Sequence, residues 1–264
     1  MSPILEIKNL SKNFGGVKAL QDISFDIGRG EIIGLIGPNG AGKTTLFNCV
    51  AGVEKPSSGQ IIFHPDDDTS VQVGGKKPEH VTKLGIARTF QNIRLFDALT
   101  VLDNVKIGRH CRTRSNFFGA VFHTPSQQQE EVAIERDARA ALDFVGLKVD
   151  YHAMASSLPY GEQRRLEIAR ALATDPKLLM LDEPAAGMNP QESKELMDLI
   201  RRVRDSGVTI LLIEHDMKVV MGVCERVVVI NYGQWLAEGN PHQVAKDPKV
   251  IEAYLGSGAA CDAA

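Results

Sequence analysis

Two periodicities run along the chain. Residues 5–9 alternate apolar and polar, and residues 19–27 do so again through Leu20, Ile23, Phe25 and Ile27. Both segments predict half-buried antiparallel strands. Residues 31–36 are a short apolar run that stops at a glycine loop, the pattern of a strand buried on both faces. Residues 43–51 continue as a helix and 60–63 as a strand. The polar stretch 64–77, with Asp66-Asp67-Asp68 and Lys76-Lys77, reads as a solvated loop. Between residues 100 and 145 the pattern is mostly helical. Residues 125–145 form a long, charged, alanine-rich helix behind the turn Asn116-Phe117-Phe118-Gly119. From residue 161, helices (161–173, 190–204, 217–224) alternate with strands (178–181, 208–213, 227–230). A last strand, 234–237, lies beyond Tyr232-Gly233. Residues 241–255 predict two short helices, followed by a small-residue tail that should fray. The expectation is an α/β core interrupted by a helical insert at about residues 91–160, with no internal repeat.

Composition narrows the class. The chain has 264 residues, 43% hydrophobic and 24% charged, close to soluble globular averages, which excludes a disordered or low-complexity protein. Thirty Lys+Arg against 33 Asp+Glu leave a formal charge of −3, so no global nucleic-acid footprint is present and no nucleic-acid partner is expected. No apolar run approaches the ~20 residues of a membrane-spanning helix, and the Met-Ser-Pro start lacks the regions of a signal peptide. The expected location is cytosolic, with any membrane work done through a partner. Cys49, Cys111, Cys224 and Cys261 are scattered without a C-x-x-C pair and read as small core hydrophobes plus one tail thiol.

The chemistry starts at Gly37-Pro38-Asn39-Gly40-Ala41-Gly42-Lys43-Thr44-Thr45, which matches G-x-x-x-x-G-K-[ST] between a buried strand and a helix. Glycines let backbone N–H groups wrap a phosphate chain, and the helix start adds roughly half a positive charge. Lys43 supplies a full charge at the β- and γ-phosphates. The Thr44 hydroxyl is placed for Mg²⁺, and Thr45 for the next phosphate oxygen. Downstream, the apolar run 178–181 ends in Asp182-Glu183. Ligands of open α/β sheets sit at the carboxyl ends of strands, so Asp182 is positioned to hold Mg²⁺ through water and Glu183 to act as general base for water. A second acid that is not a metal ligand favours hydrolysis. No Asn-Lys-x-Asp guanine reader and no kinase acceptor site is legible.

The segment Leu158-Pro159-Tyr160-Gly161-Glu162-Gln163-Arg164-Arg165-Leu166-Glu167-Ile168-Ala169-Arg170 resembles the signature loop and helix of ATP-binding-cassette (ABC) ATPases. The resemblance covers nearly the whole chain: the phosphate loop, Gln91 after a short strand, the signature, Asp182-Glu183, the 184–190 loop, and His215 after an apolar strand. The subfamily it resembles is the ATP-binding subunit of branched-chain amino-acid importers. Gly85–Phe96, the signature, Asp182–Pro190 with its Gly187-Met188-Asn189-Pro190 loop, and the segments Ala237-Glu238-Gly239 and Ala253-Tyr254-Leu255-Gly256 carry that likeness.

The resemblance implies a single ABC ATPase domain over residues 1–264. Its P-loop NTPase (RecA-like) core spans 1–90 and 161–240 and carries an antiparallel β-subdomain. A helical subdomain spans 91–160, with short helices and a tail at 241–264. It implies that Phe14 stacks on adenine and that Gln91 senses the γ-phosphate or Mg²⁺. His215 orients the attacking water beside Glu183, while Gly161 and Glu162 contact ATP held by a second ATPase subunit. The implied cofactors are ATP and Mg²⁺. The implied partners are a second cassette subunit (a copy or a homologue), two transmembrane permease subunits and, indirectly, a solute-binding protein. The implied location is the cytoplasmic face of the cell membrane. Uptake of urea, short amides or another small solute stays open as an alternative, as does a soluble non-transport ABC ATPase. The signature departs from the commoner one: Pro159 replaces a serine and Tyr160 a glycine, so the γ-phosphate contact falls to Gly161 and neighbouring backbone, or weakens. Glu214, beside His215, reads as a surface or turn residue. The Ile93-Arg94-Leu95-Phe96 segment reads as a groove for a permease helix or as packing of the helical insert. Arg109, Arg112 and Arg114 read as a solvated basic loop or a lipid contact.

Overall fold

The computed structural model describes residues 2–112 and 125–255. The Asn116–Gly119 turn, Arg114, Cys261 and the tail therefore lie outside the described residues. β1 (Leu5–Phe14), β2 (Val17–Ile27), β4 (Ser58–Asp66) and β5 (Thr69–Gln72) form an antiparallel sheet in the order β2-β1-β4-β5. β3 (Ile32–Ile36), β6 (Ile86–Arg88), β7 (Leu178–Asp182), β8 (Thr209–Ile213), β9 (Arg226–Asn231) and β10 (Gln234–Gly239) form the second sheet, ordered β10-β9-β3-β8-β7-β6. All its strands run parallel except the edge strand β10.

β3, β7 and β8 are buried at every position because both of their faces are covered. Successive side chains of a strand point to opposite faces. Ile33 and Leu35 of β3 therefore join a core with Leu5, Ile7, Phe63 and Phe47, beneath the antiparallel sheet. Ile32 and Ile36 join a second core with Leu179, Leu181, Leu212, Leu199 and Val220, on the helical side. Each buried Ile or Leu contributes roughly 1.5–3 kcal/mol, so the strand bundle is locked from two sides.

The described helices are α1 (Lys43–Val50), α2 (Pro78–Leu84), α3 (Val101–Arg109), α4 (Pro125–Val145), α5 (Tyr160–Leu172), α6 (Pro190–Asp205), α7 (Met217–Val223), α8 (Pro241–Val244) and α9 (Pro248–Leu255). α6 starts at a capping box: the Asn189 side chain accepts from Gln191 N–H and Glu192 N–H, Glu192 returns a bond to Asn189 N–H, and Pro190 fills the first turn. Of the helical insert, α3 and α4 both pack on α5, and their apolar faces (Val101, Val105, Ala138, Leu142, Leu166) belong to the helical-side core.

Three differences from the sequence reading have physical causes. Within the stretch 64–77 the chain forms the end of β4 and all of β5, not a loop. From Asp66 to Gln72 every residue but half-buried Val71 is exposed, so this part carries no apolar alternation to reveal it. α2 also lacked a hydrophobic signal, since Val81 is its only buried residue; Pro78 at its start and Gly85 in a left-handed turn at its end mark its bounds. Arg112 belongs to no solvated loop. Its guanidinium donates to the carbonyls of Thr174, Lys83 and Asp175 at 2.6, 2.9 and 2.9 Å, stapling the end of α5 to α2.

Candidate active site

Parallel strands end on the same side, so β3, β6, β7 and β8 deliver their following loops to one crevice. β3 runs into the phosphate loop. Gly37, Gly40 and Gly42 there have φ of 153°, 78° and 104°, values that L side chains rarely adopt. At Gly37 a Cβ would also lie 2.1 Å from the Ile230 carbonyl oxygen. Pro38 O accepts from Ala41 N–H at 3.2 Å, and Ala41 O accepts from Gly233 N–H at 3.0 Å, so the loop is closed internally and tied to the β9–β10 turn. Burial raises the pKa of the Tyr254 hydroxyl of α9, and the Gly37 backbone lowers it. The Lys43 ammonium is turned into the loop, donating to Gly37 O at 2.6 Å and Pro38 O at 3.0 Å. Burial lowers its pKa while Glu183 and Asp182 raise it. A cavity of about 630 Å³ opens over this loop. Asn39, Lys43, Thr44, Thr45, Gln91 and Glu183 line it, and Val17, Lys18, Ala19, Gln21 and Tyr232 line its other end.

β7 supplies the acids. Asp182 is 4% exposed and receives Arg88 Nη2 on Oδ2 at 2.8 Å; Arg88 also bonds the Asn48 side chain at 2.5 Å. Glu183 has φ 45°, and its N–H donates to Ile213 O at 2.9 Å. Its Oε2 accepts from Gln91 Nε2 at 2.8 Å and lies 3.5 Å from His215 Nδ1. Gln91, Glu183 and His215, far apart in sequence, thus converge on one carboxylate oxygen.

Glu214 corrects the sequence reading. It is no surface residue but 1% exposed, and its carboxylate accepts the N–H groups of Ala185 (2.8 Å), His215 (3.1 Å) and Asp216 (3.4 Å). It joins the loop after Glu183 to the loop bearing His215. Burial raises its pKa and the three N–H donors lower it, with burial the larger effect.

The signature lies apart. Gly161 and Glu162 line a smaller groove of about 240 Å³ between the starts of α5 and α6, with Pro159, Arg165, Met188 and Glu192. The Tyr160 ring sits against Gly187. Phe14 lies outside the residues that line the phosphate-loop cavity. Its ring, 44% exposed on the β1–β2 hairpin, carries the Lys12 ammonium 4.5 Å from its centroid.

Further residues of the site were not singled out from the sequence. Arg88, itself held by the Asn48 side chain, pairs with Asp182. Arg164 and Glu167, 0% and 1% exposed at their side chains, pair at 2.7 Å and hold the backbone around Gln91. Opposite charges spaced i, i+3 on a helix face that otherwise buries Leu166, Ile168 and Ala171 were the available signal, because a charge on an apolar face needs a buried partner.

A family model described as ABC transporter matches residues 20–186, and one described as branched-chain amino acid ATP-binding cassette transporter matches residues 236–260. The chain is 44% identical over 256 residues to the high-affinity branched-chain amino acid transport ATP-binding protein LivG of Escherichia coli K12, covering 96% of this chain and 98% of that protein. It is 42% identical over 255 residues to the corresponding protein BraF of Pseudomonas aeruginosa, with the same two coverages. It superposes on the ADP conformation of MJ1267, an ATP-binding cassette of an ABC transporter, with a TM-score of 0.82 at 33% identity, over 97% of this chain and all of that one.

Proposed function

The chain belongs to the ABC transporter ATPase family, and on that premise we propose that it is the ATP-hydrolysing subunit of an importer of branched-chain amino acids. The observation that carries the chemistry is the convergence of Gln91 and His215 on Glu183 beside the phosphate loop. The match of residues 236–260 to the branched-chain model supports this solute over urea or short amides.

The triphosphate lies along the phosphate loop, over N–H groups that the left-handed glycines turn inward. To receive it, Lys43 exchanges the Gly37 and Pro38 carbonyls for β- and γ-phosphate oxygens. Two ammonium–carbonyl hydrogen bonds are given up for contacts in which both partners carry charge. The adenine occupies the Val17–Ala19–Tyr232 end, and Phe14 offers it the ring face opposite Lys12. Thr44, Asp182 and Gln91 present hard oxygen donors that suit Mg²⁺; when bound, the ion offsets charge on the phosphates. Glu183 takes the proton of a water aimed at the γ-phosphorus, His215 orients that water, and Gln91 sets the Glu183 carboxylate. The Lys43 charge stabilises the transferring phosphoryl group.

Gly161 and Glu162 lie on the separate α5 groove, so they complete a site on a second cassette subunit rather than their own. ATP then bridges two subunits, and its hydrolysis releases them. Among the described residues, no helix is long and apolar enough to cross a membrane; the chain works at the cytoplasmic face through two permease subunits. Their docking place is the groove of about 420 Å³ lined by Arg88, Phe90, Arg94, Phe96, Ile107 and Arg170, directly behind Gln91.

The test is uptake of radiolabelled leucine, isoleucine, valine and urea by host cells lacking the chain, then complemented with it. Loss and recovery of the three amino acids, with urea unaffected, is the expected result; loss of urea uptake alone overturns the solute assignment.

A further inference from the structure

The backbone that carries Gln91 is held by two side chains of the signature helix. Arg164 Nη1 donates to Phe90 O at 2.7 Å and to Glu167 Oε2 at 2.7 Å, and Nη2 donates to Gln91 O at 2.8 Å. Glu167 Oε1 accepts from Phe90 N–H at 3.3 Å and from Arg94 N–H at 3.4 Å. One guanidinium and one carboxylate thus satisfy four backbone groups between residues 90 and 94. The planar fork of arginine is what lets one side chain reach both carbonyls and the carboxylate; a lysine ammonium lacks that geometry. Arg164 lies one helical turn from Gly161, and its Nη2 also donates to the Tyr160 hydroxyl at 3.3 Å. At the other end, Gln91 reaches Glu183 at 2.8 Å.

We propose that Arg164 and Glu167 are positioning residues that fix Gln91 toward the γ-phosphate of the chain's own site and bind that loop to the start of the signature helix. A γ-phosphate engaged by Gln91 then steadies the helix start that presents Gly161 to a second subunit. The proposal rests on the assignment of Gln91 made above. Bringing two ions into the interior carries a desolvation cost, and a buried pair is weak stabilisation compared with apolar packing. Holding a loop is the service this pair performs beyond packing.

The experiment uses the full chain, titrated calorimetrically with ATP and with ADP in the presence of Mg²⁺, at a concentration where it is monomeric. The variants are Gln91→Ala, the paired variant Arg164→Met with Glu167→Leu, and the triple combination. The paired variant removes both charges together, so neither is left buried alone; the four backbone groups it frees at residues 90–94 lower its Tm, and unchanged ADP affinity reports that the fold is kept. Gln91→Ala should lower the preference for ATP over ADP by about tenfold, as loss of one hydrogen bond to a charged group implies. The paired variant should lower it to a similar extent, and the triple variant no further, because residues acting through one contact are non-additive. Hydrogen exchange supplies the second readout. ATP should slow amide exchange at residues 160–166 of the unmutated chain, and the paired variant should lose that protection while Arg164→Lys retains part of it. An unchanged ATP preference in the paired variant, an effect that adds to Gln91→Ala, or protection that persists overturns the proposal alone. An unchanged preference in Gln91→Ala overturns the assignment of Gln91 and the brace with it.

Discussion

Two helix starts in this protein face phosphate chemistry, and they are built in opposite ways. The start of α1 is wrapped by its own loop: three left-handed glycines, a buried lysine turned onto that loop, and a tie to the β9–β10 turn. The start of α5 has no such loop. Pro159 precedes it without an N–H to offer, Gly161 is helical rather than left-handed, and its groove is under half the volume of the first, about 240 against 630 Å³. A helix N-terminus attracts anions in either case. A loop of inward-turned N–H groups and a lysine decide whether it can hold one by itself. On the proposed reading the first start is a cradle, and the second finishes a site that another subunit brings to it.

The sharpest break between the two regions is chemical. Glu183→Gln should reduce turnover by ~10²–10⁴, the usual worth of a general base, while ATP binding is retained; phosphate release and an ATP titration measure both. Near-normal turnover would remove Glu183 from its role.

Next in size is the matched pair Gly37→Ala and Gly161→Ala, read by thermal or denaturant unfolding. At Gly37 the new Cβ meets the Ile230 carbonyl at 2.1 Å in a left-handed conformation, so the fold should lose about 1–3 kcal/mol along with ATP affinity. At Gly161 the nearest atom is the Glu192 side-chain oxygen at 3.3 Å, which can move, and alanine in a helix gains up to about 1 kcal/mol over glycine. That variant should be as stable as the parent or more so, bind ATP normally, and lose turnover. Equal destabilisation of the two would mean the α5 start needs its glycine for the fold as much as the α1 start does.

The smallest effect is at the rim. Tyr254→Phe deletes the hydroxyl that α9 sets toward the Gly37 backbone and should leave stability within about 0.5 kcal/mol of the parent with a modest rise in the KM for ATP. An unchanged KM would remove α9 from the rim of the nucleotide site.

Much of this was legible in one dimension because its cause is local. A left-handed loop needs glycine, a buried parallel strand needs an unbroken apolar run, and an anchor for phosphate needs Lys43 directly after the loop. The strands β3, β7, β8 and β9, the phosphate loop and the Asp182-Glu183 strand end could therefore be read residue by residue. The outer end of β4 with β5, and α2, could not, since neither buries a patterned face. The sequence by itself determined the family, the sheet that brings strand ends together, and the identity of Glu183, Gln91 and His215 as candidates. Only the tertiary structure decided that the latter two meet on one oxygen of Glu183, that Glu214 is buried as a tie between two loops, and that Arg164 with Glu167 holds the Gln91 backbone. The physical reason is that these are contacts between residues up to about a hundred positions apart. Charge and burial there are set by which loops the parallel sheet ends side by side, and no periodicity along the chain records them.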